Sequence, residues 1–246
     1  MRPARWLARL SLVALGVGLF AALAAPAAAQ SINRAVIDDL NEQLLYVALP
    51  LTLFVEVTLV YAVYRFRDND DPKPTVDDPA LEITWTAATG VILLFVGVSA
   101  FFVLSNPYLT PAAAGAADPG AGNATDEIEV EVLAYQWGWE FRYPGANVTS
   151  RSRVVLPVDR DVRFALSSAD VIHSFYVPEL GIKQDVFPGH ETVARTHATE
   201  TGEYDLYCAE LCGAGHARMD GTVDVRNGSA YREWLDDQSS SASASG

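Results

Sequence analysis

The sequence lacks the motifs of the common nucleotide-binding and hydrolytic enzymes. It contains no glycine-rich phosphate-binding loop, no nucleophile elbow and no internal repeat. Basic residues are scarce as well, because 17 Lys and Arg stand against 31 Asp and Glu, which gives a formal net charge of −14. We expect no nucleic-acid partner. The acidic excess favours solubility in concentrated salt and indicates a halophilic source.

Sulfur-containing side chains are also rare, and they are concentrated in one place. The chain has two cysteines, two methionines and four histidines. Both cysteines, the only internal methionine and one histidine lie between Cys208 and Met219, in the sequence CAELCGAGHARM. Thiolate, imidazole and thioether are soft-to-borderline ligands that favour copper or zinc, and the thioether favours copper. The segment therefore predicts a metal site.

Other interpretations of these residues differ in the number of metal ions. Two cysteines in an exported chain often form a disulfide, and zinc accepts Cys and His ligands but has little use for a thioether. A mononuclear blue-copper site uses one cysteine, two histidines and a weak methionine. Cys208 and Cys212 together exceed that requirement, which suggests two coppers bridged by two thiolates.

Two bridged coppers need one more terminal donor than this segment supplies. The remaining histidines are the candidates: His173, His190 and His197. His173 lies in DVIHSFYV, among apolar residues at a strand-like run, whereas the other two lie in a turn and among polar residues. We therefore expect His173 to complete the site.

The N-terminal residues 1–29 have the layout of a signal peptide. Arg2, Arg5 and Arg9 precede an apolar run, and three alanines end at position 29. A basic region, an apolar region and small residues in that order are typical of secretory signals. The alternative is that the run is a first membrane helix.

Two longer apolar stretches, at residues 44–64 and 83–104, predict a transmembrane hairpin over residues 30–105. At about 1.5 Å per residue, each stretch can cross a hydrocarbon core of about 30 Å. The connecting loop carries three basic residues, whereas none follows the second stretch until Arg142. Since positive charge marks the cytoplasmic side, we expect everything after residue 105 to lie on the outer face of the cell membrane.

The outer part of the chain reads as an all-β domain. A segment rich in Ala, Pro and Gly, residues 106–126, predicts a linker before a domain over residues 127–237. Polar and apolar residues alternate in three runs, at 127–134, 161–166 and 221–225. Short alternating runs separated by turn residues favour a Greek-key sandwich or small barrel. The serine-rich residues 238–246 predict a disordered tail.

Four parts of the chain resemble one family when taken in order. The helical hairpin, the aromatic run 135–143, the segment 170–189 and the segment 201–219 are similar to subunit II of the haem-copper cytochrome c oxidases. CAELCGAGHARM is the most specific of these motifs. The resemblance implies a membrane-anchored all-β protein, in which a two-helix transmembrane hairpin carries a cupredoxin-like Greek-key β-barrel. The barrel would hold a dinuclear copper centre, called CuA.

The resemblance also implies a role for each candidate ligand. Cys208 and Cys212 would bridge the two coppers. The other donors would be the His173 and His216 imidazoles, the Met219 thioether and the backbone carbonyl of Glu210. The Glu210 side chain would help to hold a magnesium ion at the interface with subunit I.

Three further residues have both a functional and a structural interpretation. Trp137, in the QWGW segment, would lie above the copper and pass on electrons, although the rings of this run could equally pack the barrel or rest at the membrane interface. Glu82 resembles the family's glutamate at the mouth of a proton pathway, and is otherwise an ordinary interfacial acid. Glu56 lies deep in the first helix, where an ionised group is costly, so we expect it to face subunit I or stay protonated.

These features predict the subunit through which electrons enter a terminal oxidase of a halophilic archaeon. The donor would be cytochrome c or a small blue-copper protein. Haem in subunit I would receive the electrons, with oxygen reduction to water and proton translocation there, and subunit III would complete the complex. This chain alone would not reduce oxygen. The alternatives are a membrane-tethered relative of nitrous oxide reductase, whose catalytic cluster needs more histidines than this chain has, and a non-catalytic copper-binding module.

Overall fold

A computed structural model describes residues 29–110 and 127–244 of the chain. Within these ranges, two long helices are followed by ten strands and a C-terminal helix. The predicted signal peptide lies outside the described residues except for its last residue, and so does most of the predicted linker. The described part contains the whole of the predicted barrel and every candidate site residue.

The helical hairpin consists of α1 (Ile32–Phe66) and α2 (Pro79–Leu104), and both are long and apolar enough to cross a membrane. α1 begins well before the predicted first span at residue 44. Ser31 caps it, because the Ser31 Oγ accepts a hydrogen bond from the Arg34 N–H at 3.0 Å. With 35 residues, α1 is about 52 Å long, so its first turns extend outside a hydrocarbon core of about 30 Å.

The strands form two five-stranded sheets that pack face to face. Their bounds are β1 (Ile128–Tyr135), β2 (Gly138–Tyr143), β3 (Val148–Arg151), β4 (Arg153–Pro157), β5 (Asp161–Ser168), β6 (His173–Val177), β7 (Ile182–Val186), β8 (Thr192–His197), β9 (Gly202–Cys208) and β10 (Asp220–Arg226). One sheet has the order β3-β2-β1-β5-β8 and the other β4-β10-β9-β6-β7. Neighbours are antiparallel except β1 with β5 and β4 with β10, which Greek-key crossovers make parallel. The predicted fold class and its three predicted strands are confirmed.

An aromatic core lies between the sheets. Trp139 and Phe141 of β2, Phe164 of β5 and Phe175 of β6 are completely buried. The rings of Trp139 and Phe175 meet edge to face with centroids 5.5 Å apart, an arrangement that aromatic quadrupoles favour. This packing fixes β6, the strand that begins at the candidate ligand His173.

The prediction of a disordered tail over residues 238–246 is wrong for residues 238–244. A helix, α3 (Gly228–Ala244), begins where Asn227 Oδ1 accepts a hydrogen bond from the Ala230 N–H at 2.9 Å. Trp234 holds the helix on the barrel by packing against the Tyr143 ring with centroids 5.2 Å apart. The serine hydroxyls at positions 239–241 donate to carbonyls one turn earlier in the helix. The serine hydroxyls thus bond to the helix backbone, whereas in a disordered tail they would bond to water.

The predicted linker, residues 106–126, begins as an ordered turn. The Tyr108 hydroxyl donates to Asp161 Oδ1 at 2.6 Å. Burial and this hydrogen bond raise the pKa of Tyr108 to about 12. The turn after α2 is therefore attached to the barrel at the start of β5.

Candidate metal centre

The segment 208–219 forms a loop between β9 and β10. Cys208 is the last residue of β9 and Met219 immediately precedes β10. The Cys208 N–H donates to the Met219 carbonyl at 2.9 Å, which closes the base of the loop. A 3₁₀ turn (His216–Arg218) then directs the chain back to β10. Because both ends are held by adjacent strands, the side chains of the loop converge on one point.

Two cysteine sulfurs lie at that point. The Sγ atoms of Cys208 and Cys212 are 3.8 Å apart, and both thiols are free and buried. A disulfide would hold the sulfurs at about 2.0 Å, so they are not bonded to each other. The separation suits two sulfurs that share metal ions, since metal–sulfur bonds of about 2.3 Å reach both.

His173 reaches the sulfurs from a distant part of the chain. β6 pairs with β9, with Phe175 opposite Cys208, and this brings the fully buried His173 to the loop. Its Nδ1 lies 3.8 Å from Cys208 Sγ, and its Nε2 lies 2.8 Å from Asp170 Oδ1. A carboxylate on Nε2 keeps the proton there and leaves the Nδ1 lone pair directed at the sulfurs.

The other candidate donors surround the sulfurs in a similar way. His216 Nδ1 is 3.6 Å and Met219 Sδ 3.7 Å from Cys212 Sγ. The Glu210 carbonyl oxygen is 3.1 Å from Cys208 Sγ. Each cysteine therefore has one imidazole and one weaker donor beside it.

This donor set fits copper. The ligand atoms of His173, Cys208 and Cys212 all lie within 4.8 Å of one another, close enough to hold a metal ion. Two thiolates, two imidazoles and a thioether are soft-to-borderline ligands, which suit copper and suit magnesium or calcium poorly. The cluster is nearly closed to solvent, because Cys208 and Cys212 are only 5% and 2% exposed.

The Cys212 thiol is held in its protonated form. Burial, together with the neighbouring Cys208, raises the pKa of Cys212 to about 11. Thiols bind metals as thiolates, so binding here must release protons. Acid therefore opposes the loading of this site.

Trp137 covers the loop on its solvent side. The residue is 43% exposed, and its Nε1–H donates to the Cys212 carbonyl at 3.3 Å. The ring lies directly against Gly215, where a Cβ would overlap it. Trp139, two residues later, is completely buried in the core. The two interpretations of the aromatic run thus apply to different rings.

Comparison with known proteins gives the family. Residues 146–225 match the family model of the periplasmic domain of cytochrome c oxidase subunit II, and residues 19–103 match that of its transmembrane domain. The cytochrome c oxidase subunit 2 of Synechocystis is 31% identical to this chain, in an alignment that covers 84% of this chain and 74% of the relative. This chain belongs to the cytochrome c oxidase subunit II family.

A second relative and one solved structure are also similar to this chain. The subunit 2 of Cereibacter sphaeroides is 30% identical to this chain, in an alignment that covers 78% of this chain and 73% of the relative. The solved periplasmic domain of subunit II from Bradyrhizobium japonicum aligns with a TM-score of 0.46 and 26% identity, over 47% of this chain and 96% of that structure. As a subunit II, the chain is part of an oxidoreductase complex, anchored by its hairpin with the β domain in the periplasm.

Sequence reasoning missed the residues that support the ligands of this subunit II. Asp170 Oδ2 accepts the Gln136 N–H at 2.7 Å while its Oδ1 holds His173. The Gln136 side chain donates to the Cys212 carbonyl at 2.6 Å. Gly213 has φ +117°, and a Cβ there would lie 2.9 Å from Gln136 Nε2. Two signals could have indicated them: the three-residue spacing from Asp170 to the histidine, and the position of Gln136 directly before the tryptophan.

The other two histidines lie apart from the metal centre. His190 is exposed in the turn after β7. His197 Nδ1 lies 2.8 Å from Asp161 Oδ1, at the end of β8. Of the three candidates for the second imidazole, the structure brings His173 to the sulfurs.

The two membrane carboxylates lie on the hairpin, away from the barrel. Glu82 is in the first turn of α2, whose N-terminus is capped by Asp78 through a 3.1 Å bond from the Ala80 N–H. Glu56 lies on the surface of α1. Neither contributes to the metal centre.

Asp170 provides a test of how the supporting residues hold the site. We expect Asp170→Asn to lower copper affinity by about 10–100-fold, because the histidine loses the carboxylate that orients its ring. Competition with a copper chelator measures the change. Asp236→Asn, an exposed change on α3, should leave the affinity unaltered; an equal loss in both variants would contradict the role of Asp170.

Proposed function

We propose that this chain is the subunit through which electrons enter a terminal haem-copper oxidase, by way of a dinuclear copper centre of the CuA type. The proposal rests on one observation: two buried, unbonded cysteine sulfurs lie 3.8 Å apart, each with an imidazole nitrogen beside it. A mononuclear blue-copper site uses one thiolate, so a single copper of that kind would leave the second cysteine without a metal to bind. The residues that would hold the pair are His173, Cys208, Glu210 through its carbonyl, Cys212, His216 and Met219.

The protein supplies rigidity and orientation to this centre. When bound, the copper pair provides a site that accepts and releases one electron. The aromatic core fixes β6 and β9, Asp170 orients His173, and the closed loop keeps water from the sulfurs. Ligands that cannot move undergo little rearrangement when the charge at the centre changes, which favours fast transfer.

The ring of Trp137 is the route that we infer for electrons from the donor. It is exposed on one side and lies against the ligand loop on the other, with a hydrogen bond to the backbone of Cys212. A donor docked on this surface would meet the indole before any ligand. We propose cytochrome c or a small blue-copper protein as that donor.

The remaining steps belong to the partners. Electrons would pass to haem in subunit I, where oxygen is reduced to water and protons are translocated, and subunit III would complete the assembly. The Glu210 side chain, which is exposed beside the loop, would help to hold magnesium at the interface with subunit I. Glu82, at the opposite end of the hairpin, would lie at the entrance of a proton pathway.

Copper stoichiometry together with electron paramagnetic resonance tests the proposal. We expect the full chain, purified in detergent and loaded with copper, to bind two coppers, with hyperfine structure from one unpaired electron shared by both nuclei. A single copper per chain would contradict the dinuclear centre. So would a chain without copper in which a disulfide between Cys208 and Cys212 persists under reduction.

A further inference from the structure

The outer end of the hairpin is joined to the barrel by buried polar contacts. Ser31 and Asn33, at the start of α1, are each only 1% exposed. Gly181 follows a 3₁₀ turn (Pro178–Leu180) after β6 and lies against the Asn33 backbone, and Tyr108, after α2, accepts a hydrogen bond from Asn33. We call these four residues, Ser31, Asn33, Tyr108 and Gly181, the hairpin joint.

Ser31 fixes the chain just before α1 to two parts of the barrel. Its hydroxyl caps the helix and also donates to the Leu180 carbonyl at 2.7 Å, in a buried bond. Its backbone pairs with Ala198 as an antiparallel bridge, and the Thr199 N–H donates to the Gln30 carbonyl at 2.9 Å. The residues before α1 are therefore paired with the residues that follow β8, the edge strand of its sheet.

Asn33 connects three segments through one side chain. Its Nδ2 group donates to the Tyr108 carbonyl and to the Arg195 carbonyl, both at 2.8 Å. Asn33 is on α1, Tyr108 follows α2, and Arg195 is on β8. Both amide hydrogens of this buried side chain are therefore used on carbonyls of other segments.

Gly181 allows a close approach between the barrel and α1. Its φ of +63° is a conformation that L side chains rarely adopt. A Cβ at this position would lie 2.9 Å from the Arg34 backbone nitrogen and 3.1 Å from the Asn33 carbonyl carbon. Those neighbours are helix backbone, which cannot move aside without displacing α1.

Strand β6 connects the metal centre to the hairpin joint. β6 begins at His173, whose Nδ1 faces the sulfurs, and ends at Val177, immediately before the 3₁₀ turn that contacts α1. The joint also includes the start of α1. Along this helix, its first residue lies about 18 Å from residue 44, where the predicted apolar span begins. One strand and one helix thus connect the metal centre to the membrane.

We propose that the hairpin joint is a positioning device, in which Asn33 and Gly181 set the height and tilt of the metal centre over the membrane hairpin. The proposal rests on the proposed function, because its consequence is the rate at which electrons leave this chain for its membrane partner. That rate falls steeply with distance, and small displacements of reacting groups cost large factors. Buried bonds in fixed directions, with no space around Gly181, hold one orientation where a flexible linker would allow many.

Two variants of the joint, each with a matched control, test this in the complete oxidase. Gly181→Ala should push α1 away from the barrel, whereas Gly189→Ala carries similar strain at φ +74° with nothing within 4 Å of its Cβ. Asn33→Asp keeps the size of the side chain and sets carboxylate oxygens against two carbonyls, whereas Asn41→Asp makes the same change on an exposed position of α1. The second pair covers the case in which the alanine variant fails to fold.

Time-resolved absorption separates donor oxidation from the transfer of electrons to haem. We expect Gly181→Ala and Asn33→Asp to slow the transfer to haem by about tenfold or more, while donor oxidation and the copper resonance stay as in the wild type. Both controls should behave like the wild type. Unchanged transfer in both joint variants, with the copper resonance intact, would overturn the proposal.

Hydrogen exchange tests, independently of copper, whether the joint holds α1 against the barrel. Backbone amides at residues 30–34 and 178–183 should exchange faster in both joint variants than in their controls, and unchanged exchange would overturn the proposal. If the wild-type complex lacks a resonance shared by two coppers, the proposed function fails. The exchange result then still decides whether the joint holds the barrel on the hairpin.

Discussion

Replacing Cys212 with serine should abolish the electron shared between two coppers and, with it, turnover of the oxidase with its donor. A hydroxyl is a harder and much weaker ligand than a thiolate, so it does not bridge two soft metal ions. Cys212 is also the sulfur beside His216 and Met219, so its loss removes the atom on which one half of the donor set converges. Copper analysis, electron paramagnetic resonance and oxygen consumption by the complex measure the effect.

The neighbouring Leu211 gives a matched control for this change. Leu211 is 77% exposed, whereas the sulfurs are buried, so Leu211→Ser should keep both coppers and the shared signal. Cys208→Ser should behave like Cys212→Ser, because each sulfur has one imidazole and one weaker donor beside it. Two coppers and a shared resonance in either cysteine variant would show that the pair is not bridged by these thiolates.

Trp137→Ala should have the second largest effect, slowing donor oxidation by about a hundredfold while leaving the copper spectrum intact. The indole fills the space between solvent and the ligand loop and contacts that loop at Gly215 and at the Cys212 carbonyl. Removing it leaves a gap on the side from which the donor approaches, whereas none of the proposed ligand atoms belongs to this residue. Stopped-flow oxidation of reduced cytochrome c by the complex measures the rate.

A more conservative variant separates the ring from its hydrogen bond. Trp137→Phe retains an aromatic ring over the loop but loses the Nε1–H that donates to the Cys212 carbonyl, so we expect a rate between those of the alanine variant and the wild type. Trp234, on α3, packs its indole against Tyr143 and serves as the control. Trp234→Ala should leave donor oxidation unchanged. Wild-type oxidation by Trp137→Ala would rule out this ring as the route.

The sequence predicted the fold class because its signals are local. Apolar stretches of about twenty residues follow directly from the thickness of a membrane, and alternation with period two follows from a strand that is buried on one face. The same reasoning failed at residues 238–244, where composition predicted disorder. Trp234 and the barrel surface that it covers stabilise a helix there, and a contact of that kind is invisible in a window of serines. The halophilic archaeal source stays a prediction.

The sequence by itself determined which chemical groups are available: two thiols, an imidazole and a thioether within twelve residues, and an apolar hairpin to anchor them. Only the tertiary structure decided how these groups meet. The pairing of β6 with β9 places His173 beside Cys208 although 35 residues separate them, and Asp170 and Gln136 reach the site in the same way. The physical reason is that ligand type is a property of single residues, whereas the distance between donor atoms depends on strand pairing across the whole barrel.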